Sequence, residues 1–276
     1  MKDIYFVDGK FVPADEATLP IHDLQILRGY GVFDFTRTYK RKPFRLEAHI
    51  DRLFYSAERI GLDIQRTREE IIAITHETVA QNPHHQESFV RILVTGGATE
   101  DAYVSSGHTR IIVLVTPVKN YPESVYTDGA KVLTVNEPRY LPGVKSLSYI
   151  SAVRGKKQAH AQGAIEAIYS DDKYVFEGTT TNFFAFCGNT LVTPGRDILL
   201  GITRQVVLEL VQDVYPLAIR DLTRDEFYGA EEAFLTSSVS EVIPIVQVDA
   251  ATIGAGKPGE RTRHIMKLFA EYVAGL

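Results

Sequence analysis

The sequence predicts an α+β protein of two domains, and three observations support this prediction. The chain has 276 residues, which is enough to bury one or two hydrophobic cores. Strand-like stretches, rich in β-branched and aromatic residues, form two groups that alternate with stretches of helical spacing. The polar segment 119–129 contains a proline and a glycine and is typical of a linker. We therefore predict a smaller domain over 1–118 and a larger domain over 130–276.

The first half is predicted to run from strands through helices to strands. Ile4–Val12 is typical of a hairpin that turns at Asp8-Gly9. Arg28–Gly31 indicates an irregular loop before a pair of strands. The remaining elements of this half are helices over 46–62 and 68–81, and strands over 89–95 and 111–118.

The second half is predicted to be a strand-rich domain with helices packed on it. Its strands begin at 130–137 and continue as a meander over 165–170, 173–178 and 181–186, with 191–194 as a fourth strand. Two further strands are predicted over 232–238 and 241–248. Helices are predicted over 149–162, 202–214, 222–230 (with Thr223 as its cap) and 261–274.

The composition argues against several classes of protein. A formal net charge of −5 and a pI near 5.9 disfavour a surface for nucleic acid or anionic membrane. No stretch approaches the roughly 20 apolar residues that a membrane span needs. The N-terminus lacks the basic start and apolar run of a signal peptide, and the single cysteine, Cys187, suits a reducing compartment. We therefore expect a cytoplasmic protein.

A lysine and a glutamate frame the stretch 144–182. Lys145 follows the turn-forming pair Pro142-Gly143, and Glu177 ends an aromatic strand before a Gly-Thr-Thr-Thr turn. Either residue alone would be an ordinary surface charge. Together we interpret them as the two contacts of pyridoxal phosphate: an amine that holds the aldehyde as an imine, and a carboxylate that keeps the ring nitrogen protonated.

The anionic tail of such a cofactor needs N–H donors and a cation. Gly201, Ile202 and Thr203 begin a predicted helix, where free N–H groups and the helix dipole favour anions. The turn 236–238 offers further hydroxyls, and Arg52 lies at the edge of a helical apolar stripe. Each feature also has an ordinary interpretation, as a helix cap, a surface turn or a snorkelling arginine.

Several other residues are candidates for binding. Tyr149 lies one helical turn after Lys145 and is either a core aromatic or a partner of the cofactor's ring oxygen. Arg91 is flanked by apolar residues on a strand that we predict to be buried, so it either forms a structural salt bridge or binds a substrate carboxylate. The same question applies to Arg28 and Arg37. The eight histidines show no metal-binding spacing, and His84-His85 is predicted to lie on the surface.

Five motifs, in order along nearly the whole chain, resemble the fold-type IV pyridoxal-phosphate enzymes. They are HIDRLFYSAERI, VKSLSY, FEGTTTN, LLGITR and TSSVSEVIP. This family includes branched-chain aminotransferases, D-amino acid aminotransferases and aminodeoxychorismate lyases. The resemblance implies a small α/β domain joined to a larger pseudo-barrel domain, with the site between them. It also implies a homodimer in which the RGYG-type loop of one subunit reaches the pocket of the other.

The resemblance also implies roles for individual residues. Lys145 matches the imine lysine, Glu177 the ring-nitrogen partner and Tyr149 the ring-oxygen partner. Thr180 and Asn182 resemble residues that line or support the cofactor. The phosphate site matches Arg52, Ile202, Thr203 and Ser238, with Ser237 beside it. The implied reaction is ping-pong transfer of an amino group between amino acids and 2-oxo acids.

In the residues that bear on substrate preference, the sequence departs from the better-known patterns. The VFEGxR motif of branched-chain enzymes is replaced by 32–37, which places a bulky Phe35 after Phe33 and Asp34. The hydroxyl-rich turn at 237–239 is closer to D-amino acid enzymes, yet the loop 99–103 lacks their Arg-x-His carboxylate clamp.

Our hypothesis is that Arg28 and Arg91 replace the missing clamp, with Phe33 beside the substrate. This favours D-amino acid transamination with D-alanine or D-glutamate and pyruvate or 2-oxoglutarate. A branched-chain L-amino acid aminotransferase is the alternative, followed by an aminodeoxychorismate lyase or an amine transaminase. A binding protein with a decayed site is the non-enzymatic alternative.

Overall fold

The computed structural model describes residues 2–137 and 139–276, and the chain divides into two compact units. Unit 1 comprises the residues up to Lys119 together with Val144–Ser148. Unit 2 comprises Asn120–Gly143 and Tyr149–Leu276. The domain ranges given above stay a prediction; the units differ from them in assigning Val144–Ser148 to the N-terminal body. Within the described residues, no helix combines the length and apolar character required to cross a membrane.

Unit 1 contains a six-stranded antiparallel sheet with the order β2-β1-β6-β5-β3-β4. Its elements are β1 (Ile4–Val7), β2 (Lys10–Pro13), α1 (Leu24–Arg28), β3 (Gly31–Tyr39), β4 (Lys42–Pro43), α2 (Leu46–Arg59), α3 (Arg68–Ala80), β5 (Ser88–Thr95) and β6 (Arg110–Pro117). The predicted hairpin at Asp8-Gly9 and the predicted helices and strands of this half are confirmed.

The sheet of unit 1 buries one face against α2 and α3. Val32, Val90 and Ile92 point into this core together with Ile50 and Leu53 of α2. Because side chains alternate along a strand, Phe33, Phe35 and Arg91 point to the opposite face. We predicted that Arg91 lies on a buried strand. That prediction is wrong, because β5 is buried on one face only and Arg91 is exposed on the other.

The RGYG segment was predicted to be an irregular loop, but the structure places a short helix before it. Asp23 caps α1 by accepting a hydrogen bond from the Gln25 N–H at 2.8 Å. Gly29 ends the helix with φ of 67°, a left-handed conformation that glycine adopts without strain. The cap and the glycine together explain why a five-residue helix forms where the apolar periodicity is too short to indicate one.

Unit 2 contains a ten-stranded sheet with the order β12-β11-β10-β14-β15-β7-β8-β9-β13, and β16 pairs with β15. Its elements are α4 (Glu123–Thr127), β7 (Ala130–Asn136), α5 (Ile150–Ala161), β8 (Glu166–Ser170), β9 (Tyr174–Gly178), β10 (Asn182–Cys187), β11 (Thr190–Thr193), α6 (Ile202–Val211), β12 (Leu217–Ile219), β13 (Leu222–Thr223), α7 (Arg224–Tyr228), β14 (Glu232–Ser237), β15 (Glu241–Val248), β16 (Ala251–Thr252) and α8 (Glu260–Ala274). The sheet is curled into a half-barrel, and the predicted fold class is confirmed. The segment predicted as a linker contains α4.

The predicted meander of three strands is wrong in its last step. β8 and β9 form an antiparallel pair, but β10 pairs with β14 and β11 instead of β9. Gly178 makes the change of direction possible, because a Cβ there would lie 2.0 Å from the Thr181 hydroxyl oxygen. The Gly-Thr-Thr-Thr turn therefore carries the chain from one part of the curled sheet to another.

The lysine-containing segment belongs to unit 1 because it extends the sheet beside β3. The N–H of Phe33 donates to the Lys145 carbonyl at 2.9 Å, and the N–H of Leu147 donates to the Gly31 carbonyl at 2.9 Å. Gly31 permits this close pairing, because a Cβ there would lie 2.7 Å from the Leu147 side chain. A segment that the sequence predicts within the larger domain is thus held by main-chain hydrogen bonds of the smaller unit.

Candidate active site

Lys145 is fixed through its backbone and extends over an aromatic ring. Its N–H donates to the Ser56 hydroxyl at 3.1 Å, and its carbonyl accepts from Phe33. Ser56 lies on α2 and is fully buried. The Lys145 Nζ lies 4.6 Å from the centre of the Phe33 ring, which is a cation–π contact. The sequence therefore positions this amine through two neighbouring elements, β3 and α2.

Arg52 of α2 forms a buried charged network with Asp34 and His49. Its Nε and Nη2 atoms donate to the two carboxylate oxygens of Asp34 at 2.8 Å each, which is a bidentate pair. His49 Nδ1 lies 2.6 Å from the same carboxylate, and both Asp34 and His49 are fully buried. Arg52 is thus oriented by Asp34. Its predicted role as a phosphate ligand stays a prediction.

The protonation states in this network follow from burial and charge. Burial alone would raise the pKa of the Asp34 carboxyl, but Arg52 and His49 outweigh it and hold that pKa well below the usual range. Burial lowers the pKa of the His49 imidazole, and the nearby Asp34 carboxylate offsets only part of this effect. At neutral pH Asp34 is therefore charged and His49 is neutral, with Nδ1 as the donor.

We predict that His49 makes the protein less stable in mild acid. In the unfolded chain a histidine takes up a proton near pH 6.5, whereas the lowered pKa of buried His49 prevents this in the folded chain. The unfolding free energy should therefore fall as the pH drops below about 6.5, by up to about 1.4 kcal/mol per pH unit for this residue. Denaturant unfolding at several pH values between about 5 and 7.5 measures the slope.

The matched variants are His49→Gln in the core and His76→Gln on the exposed face of α3. The first should flatten the acid dependence, and the second should leave it close to that of the wild type. Equal slopes for the wild type and His49→Gln would contradict the assignment of a buried neutral imidazole.

Glu177 is a buried carboxylate in unit 2, not a charge at a strand end facing water. One carboxylate oxygen accepts from Arg139 Nη1 at 3.0 Å, and the other accepts from the Leu199 N–H at 2.9 Å. The amide nitrogen of Asn182 lies 3.5 Å from the second oxygen. Groups from three different segments of unit 2 thus contact this acid and compensate the cost of burying its charge.

Arg139 is the site residue that the sequence analysis missed. Its guanidinium is only 10% exposed and lies 5.6 Å from the centre of the Tyr149 ring, in addition to its ion pair with Glu177. Burial acts to lower the pKa of Arg139, but the Glu177 carboxylate outweighs it and raises that pKa. Arg139 sits in an irregular loop, so no periodicity or motif in the chain indicates its partner. Tyr149 itself lies at the N-cap position of α5.

We predict that Arg139→Met destabilises the apoenzyme by about 3 kcal/mol, because it leaves the charge of Glu177 buried without its ion pair. Arg139→Lys keeps the positive charge and should lose about half as much or less. Denaturant unfolding of both variants beside the wild type measures the difference. If the Arg139→Met and Arg139→Lys variants have equal free energies of unfolding, loss of the ion pair is not the cause of the destabilisation.

Asn182 links Glu177 to the segment that precedes α6. Its side-chain amide donates to the Leu199 carbonyl at 2.8 Å. A Cβ at Gly201 would lie 2.1 Å from the Asn182 side-chain oxygen, so only glycine fits there. Among the described residues, no side chain caps α6, and the helix begins with Ile202 and Thr203. The first N–H groups of α6 are therefore available to bind an anion.

The hydroxyl-rich residues at the end of β14 occupy the neighbouring strand. Thr236 pairs directly with Asn182, so both side chains point to the same face of the sheet. The Thr236 hydroxyl is buried and has no hydrogen-bond partner among the residues that the structure describes. The Ser237 hydroxyl forms a hydrogen bond of 2.8 Å with the Ser240 hydroxyl, and Ser238 follows in the turn. This region offers hydroxyl donors next to the α6 segment that Asn182 holds.

Thr180 supports the site through Glu166. The Thr180 hydroxyl donates to one carboxylate oxygen of Glu166 at 2.9 Å, and the Thr179 hydroxyl donates to the other at 2.5 Å. Lys156 of α5 neutralises the Glu166 charge at 3.0 Å. Glu166 is 1% exposed and therefore anchors the turn that follows Glu177. No local pattern in the sequence indicates Glu166, because its partners lie on other elements.

The three candidate substrate arginines lie in different environments of unit 1. Arg91 is exposed, with its guanidinium 5.3 Å from the centre of the Phe35 ring. Arg28 ends α1, where it lies 4.8 Å from the centre of the Tyr103 ring. Arg37 is buried and stacks on Tyr39 at 4.9 Å. Burial favours a structural role for Arg37, whereas Arg28 and Arg91 are accessible.

The chain belongs to the class IV aminotransferase family, which matches residues 31–248. A putative branched-chain-amino-acid aminotransferase of Methanocaldococcus jannaschii is 34% identical and covers 96% of this chain and 95% of its own. A D-alanine aminotransferase of Bacillus licheniformis is 31% identical, with 94% and 93% covered. A solved structure of the branched-chain aminotransferase of Thermoproteus uzoniensis with norvaline has a TM-score of 0.91 and 27% identity, and covers 100% of this chain and 96% of that one.

Class IV aminotransferases use pyridoxal phosphate, and the residues present suit this cofactor. Unit 1 offers a backbone-anchored amine, Lys145, above an aromatic ring. Unit 2 offers a buried carboxylate, Glu177, and an uncapped helix start. The buried Thr236 hydroxyl, which has no hydrogen-bond partner among the described residues, also fits a bound polar group. The sequence prediction of the family and of its cofactor is confirmed.

Proposed function

We propose that this class IV aminotransferase acts on D-amino acids and 2-oxo acids, of the D-alanine or D-glutamate and pyruvate or 2-oxoglutarate type. The observation that carries this proposal is the position of Arg91. It is an exposed cation on the same sheet face as Phe33, whose ring contacts the Lys145 amine. D-alanine aminotransferases are among the relatives at 31% and 30% identity, which supports the same assignment.

The residues of the candidate site divide the chemistry between them. When bound, pyridoxal phosphate supplies an electron sink for the substrate α-carbon. Lys145 would hold the cofactor through its amine, and the free amine would carry a proton to and from the substrate α-carbon. Glu177, which pairs with Arg139, would accept a hydrogen bond from the ring N–H. Tyr149 would donate its phenol hydrogen to the ring oxygen.

N–H groups, hydroxyls and one arginine would hold the phosphate. Ile202 and Thr203 would donate their N–H groups, and Thr203 would add its hydroxyl. Ser237 and Ser238 would add hydroxyl donors, and Arg52, which forms a bidentate pair with Asp34, would supply the positive charge. Asn182 and Thr180, which bond Leu199 and Glu166, would support the residues that hold the cofactor.

The substrate carboxylate is bound by Arg91, with Arg28 as a second cation, and Phe33 forms a wall beside the reacting carbon. An exposed arginine on a sheet face can present its planar fork to a carboxylate. The position of that carboxylate decides which face of the α-carbon Lys145 meets, and hence the preference for D or L substrates. Two arginines suit a substrate with two carboxylates, such as D-glutamate.

A branched-chain L-amino acid aminotransferase is the second candidate. The relative of Methanocaldococcus jannaschii, at 34% identity, carries the branched-chain name, as does the solved structure from Thermoproteus uzoniensis. The sheet face around Arg91 also contains the half-buried apolar side chains of Phe33, Phe35 and Leu93. These side chains would suit an aliphatic substrate.

The test of function is a substrate panel with the holoenzyme. Borohydride reduction should first fix the cofactor to Lys145, and Lys145→Ala should abolish transfer. We then expect transamination of D-alanine and D-glutamate with pyruvate or 2-oxoglutarate at a kcat/KM at least about tenfold above that for L-leucine and L-glutamate. The rate of keto acid formation measures this ratio. Activity on L-leucine with none on either D-amino acid would establish the branched-chain alternative.

The role of Arg91 is tested in the same assay. Arg91→Gln should raise the KM for D-glutamate by about 10-fold or more, since it removes a charge-assisted bond worth about 1.5–3 kcal/mol. The cofactor content should stay that of the wild type. Lys10→Gln, an exposed charge change on β2, is the matched control and should leave KM unchanged. Loss of bound cofactor from Arg91→Gln would show that this residue is not a substrate ligand.

We also propose that the working unit is a homodimer. Unit 1 exposes several apolar side chains near the RGYG segment, which a monomer would leave in water. They are Ile21, Ile26, Leu27, Tyr103 and Val104.

Light scattering of the holoenzyme should therefore give twice the 30.8 kDa mass of one chain. Ile26→Glu places a charge in the proposed interface and should shift the mass toward the monomer. Val214→Glu, on an exposed position of unit 2, should not. A wild-type holoenzyme that is monomeric at micromolar concentration contradicts the proposal.

A further inference from the structure

Asp3 and two adjacent histidines that follow it by 81 and 82 residues converge at one edge of unit 1. Asp3 precedes β1, while His84 and His85 lie in the turn between α3 and β5. Asp3 Oδ1 lies 3.0 Å from His84 Nε2 and 2.8 Å from His85 Nε2. One candidate ligand atom from each of these residues lies within 4.8 Å of the others. The prediction that His84-His85 lies on the surface is wrong for His85, which is buried. No metal-binding spacing is visible in the sequence because the third group is 81 residues away.

The segments that carry these groups are held rigidly by other side chains. Asn82 is fully buried and clamps the backbone of Ile4, accepting from its N–H and donating to its carbonyl, both at 2.8 Å. Arg41 donates to the carbonyls of Pro83 at 3.2 Å and His85 at 2.7 Å. The histidine turn and the residue next to Asp3 are therefore positioned by bonds that do not involve the three converging groups.

The second ring nitrogen of His85 is also engaged. His85 Nδ1 lies 3.2 Å from the Ser88 hydroxyl, and both residues are buried. In metal sites the nitrogen that does not bind the ion usually has such a partner, which sets the tautomer and the ring orientation. The His84 and Asp3 side chains keep 21% and 23% of their surface exposed, so solvent can reach the cluster. The Arg41 guanidinium beside this turn is directed toward carbonyl oxygens.

We propose that Asp3, His84 and His85 bind one divalent first-row transition-metal ion of the Zn²⁺ type. Two imidazole nitrogens and one carboxylate oxygen are a donor set that such ions favour, whereas Mg²⁺ and Ca²⁺ prefer oxygen ligands. Water completes the coordination on the exposed side. The proton on each Nε2 moves to Nδ1 when the ion binds, and Ser88 accepts the hydrogen bond from His85. Asp3 contributes one carboxylate oxygen.

Such an ion would tether the N-terminal strand to the turn after α3. It is distinct from the aminotransferase residues, since none of Lys145, Arg52 or Arg91 takes part in the cluster. The site therefore binds its metal without a role in amino-group transfer, and its test does not depend on the substrate assay.

The experiment is a calorimetric titration of the untagged holoenzyme with ZnCl₂ near pH 7.5, after removal of metals by a chelator. We expect one Zn²⁺ per chain and no comparable binding of Mg²⁺. Asp3→Asn and His84→Gln each remove one ligand and should weaken the affinity by at least about tenfold. Ser88→Ala should weaken it by about 10-fold or more through the ring orientation of His85.

His76→Gln is the matched control, because it removes an exposed imidazole from α3 and should leave the affinity unchanged. Asp3→Asn keeps an oxygen acceptor for both rings, so thermal unfolding without zinc should match that of the wild type. Wild-type protein that binds no Zn²⁺ would overturn the proposal. So would equal affinities of the wild type, Asp3→Asn and His84→Gln.

Discussion

The buried carboxylate of Glu177 is the constraint on which the rest of the candidate site depends. A charge in the protein interior is stable only when other groups compensate it, and here an arginine, a backbone N–H and an amide do so. These three partners come from the loop before Lys145, from the segment before α6 and from β10. Compensating one acid therefore fixes the three segments relative to one another within unit 2.

Unit 1 contains a second buried carboxylate, that of Asp34 on β3. Arg52 and His49 of α2 both contact it, so Asp34 fixes the orientation of the Arg52 side chain. The Lys145 segment adds to the same strand through main-chain hydrogen bonds. In both units a candidate site residue is positioned by a charged neighbour: Arg52 by Asp34, and Glu177 by Arg139. A class IV aminotransferase needs this rigidity, because proton transfer depends on small distances.

Comparison of sequence and structure shows which signals were sufficient. Helical spacing and turn residues placed α2, α3, α6 and α8, and the motifs identified the family. The pairing of β10 was misjudged, because strand order depends on which edges meet in the curled sheet and not on proximity in the chain. The burial of Arg91 was also predicted wrongly. The apolar residues on either side of Arg91 in the sequence do not reveal that only one face of β5 is covered. α1 was missed because its five residues are too few for a periodic signal.

The sequence by itself determined most of the elements, the family and the cofactor, because helical periodicity, turn chemistry and short motifs are local properties of the chain. Only the tertiary structure decided that Arg139 is the partner of Glu177, that Glu166 anchors the following turn and that Asp3 meets His84 and His85. These groups are separated by 13 to 82 residues along the chain. Their contacts arise from packing and from the need to compensate buried charge, which no local pattern records.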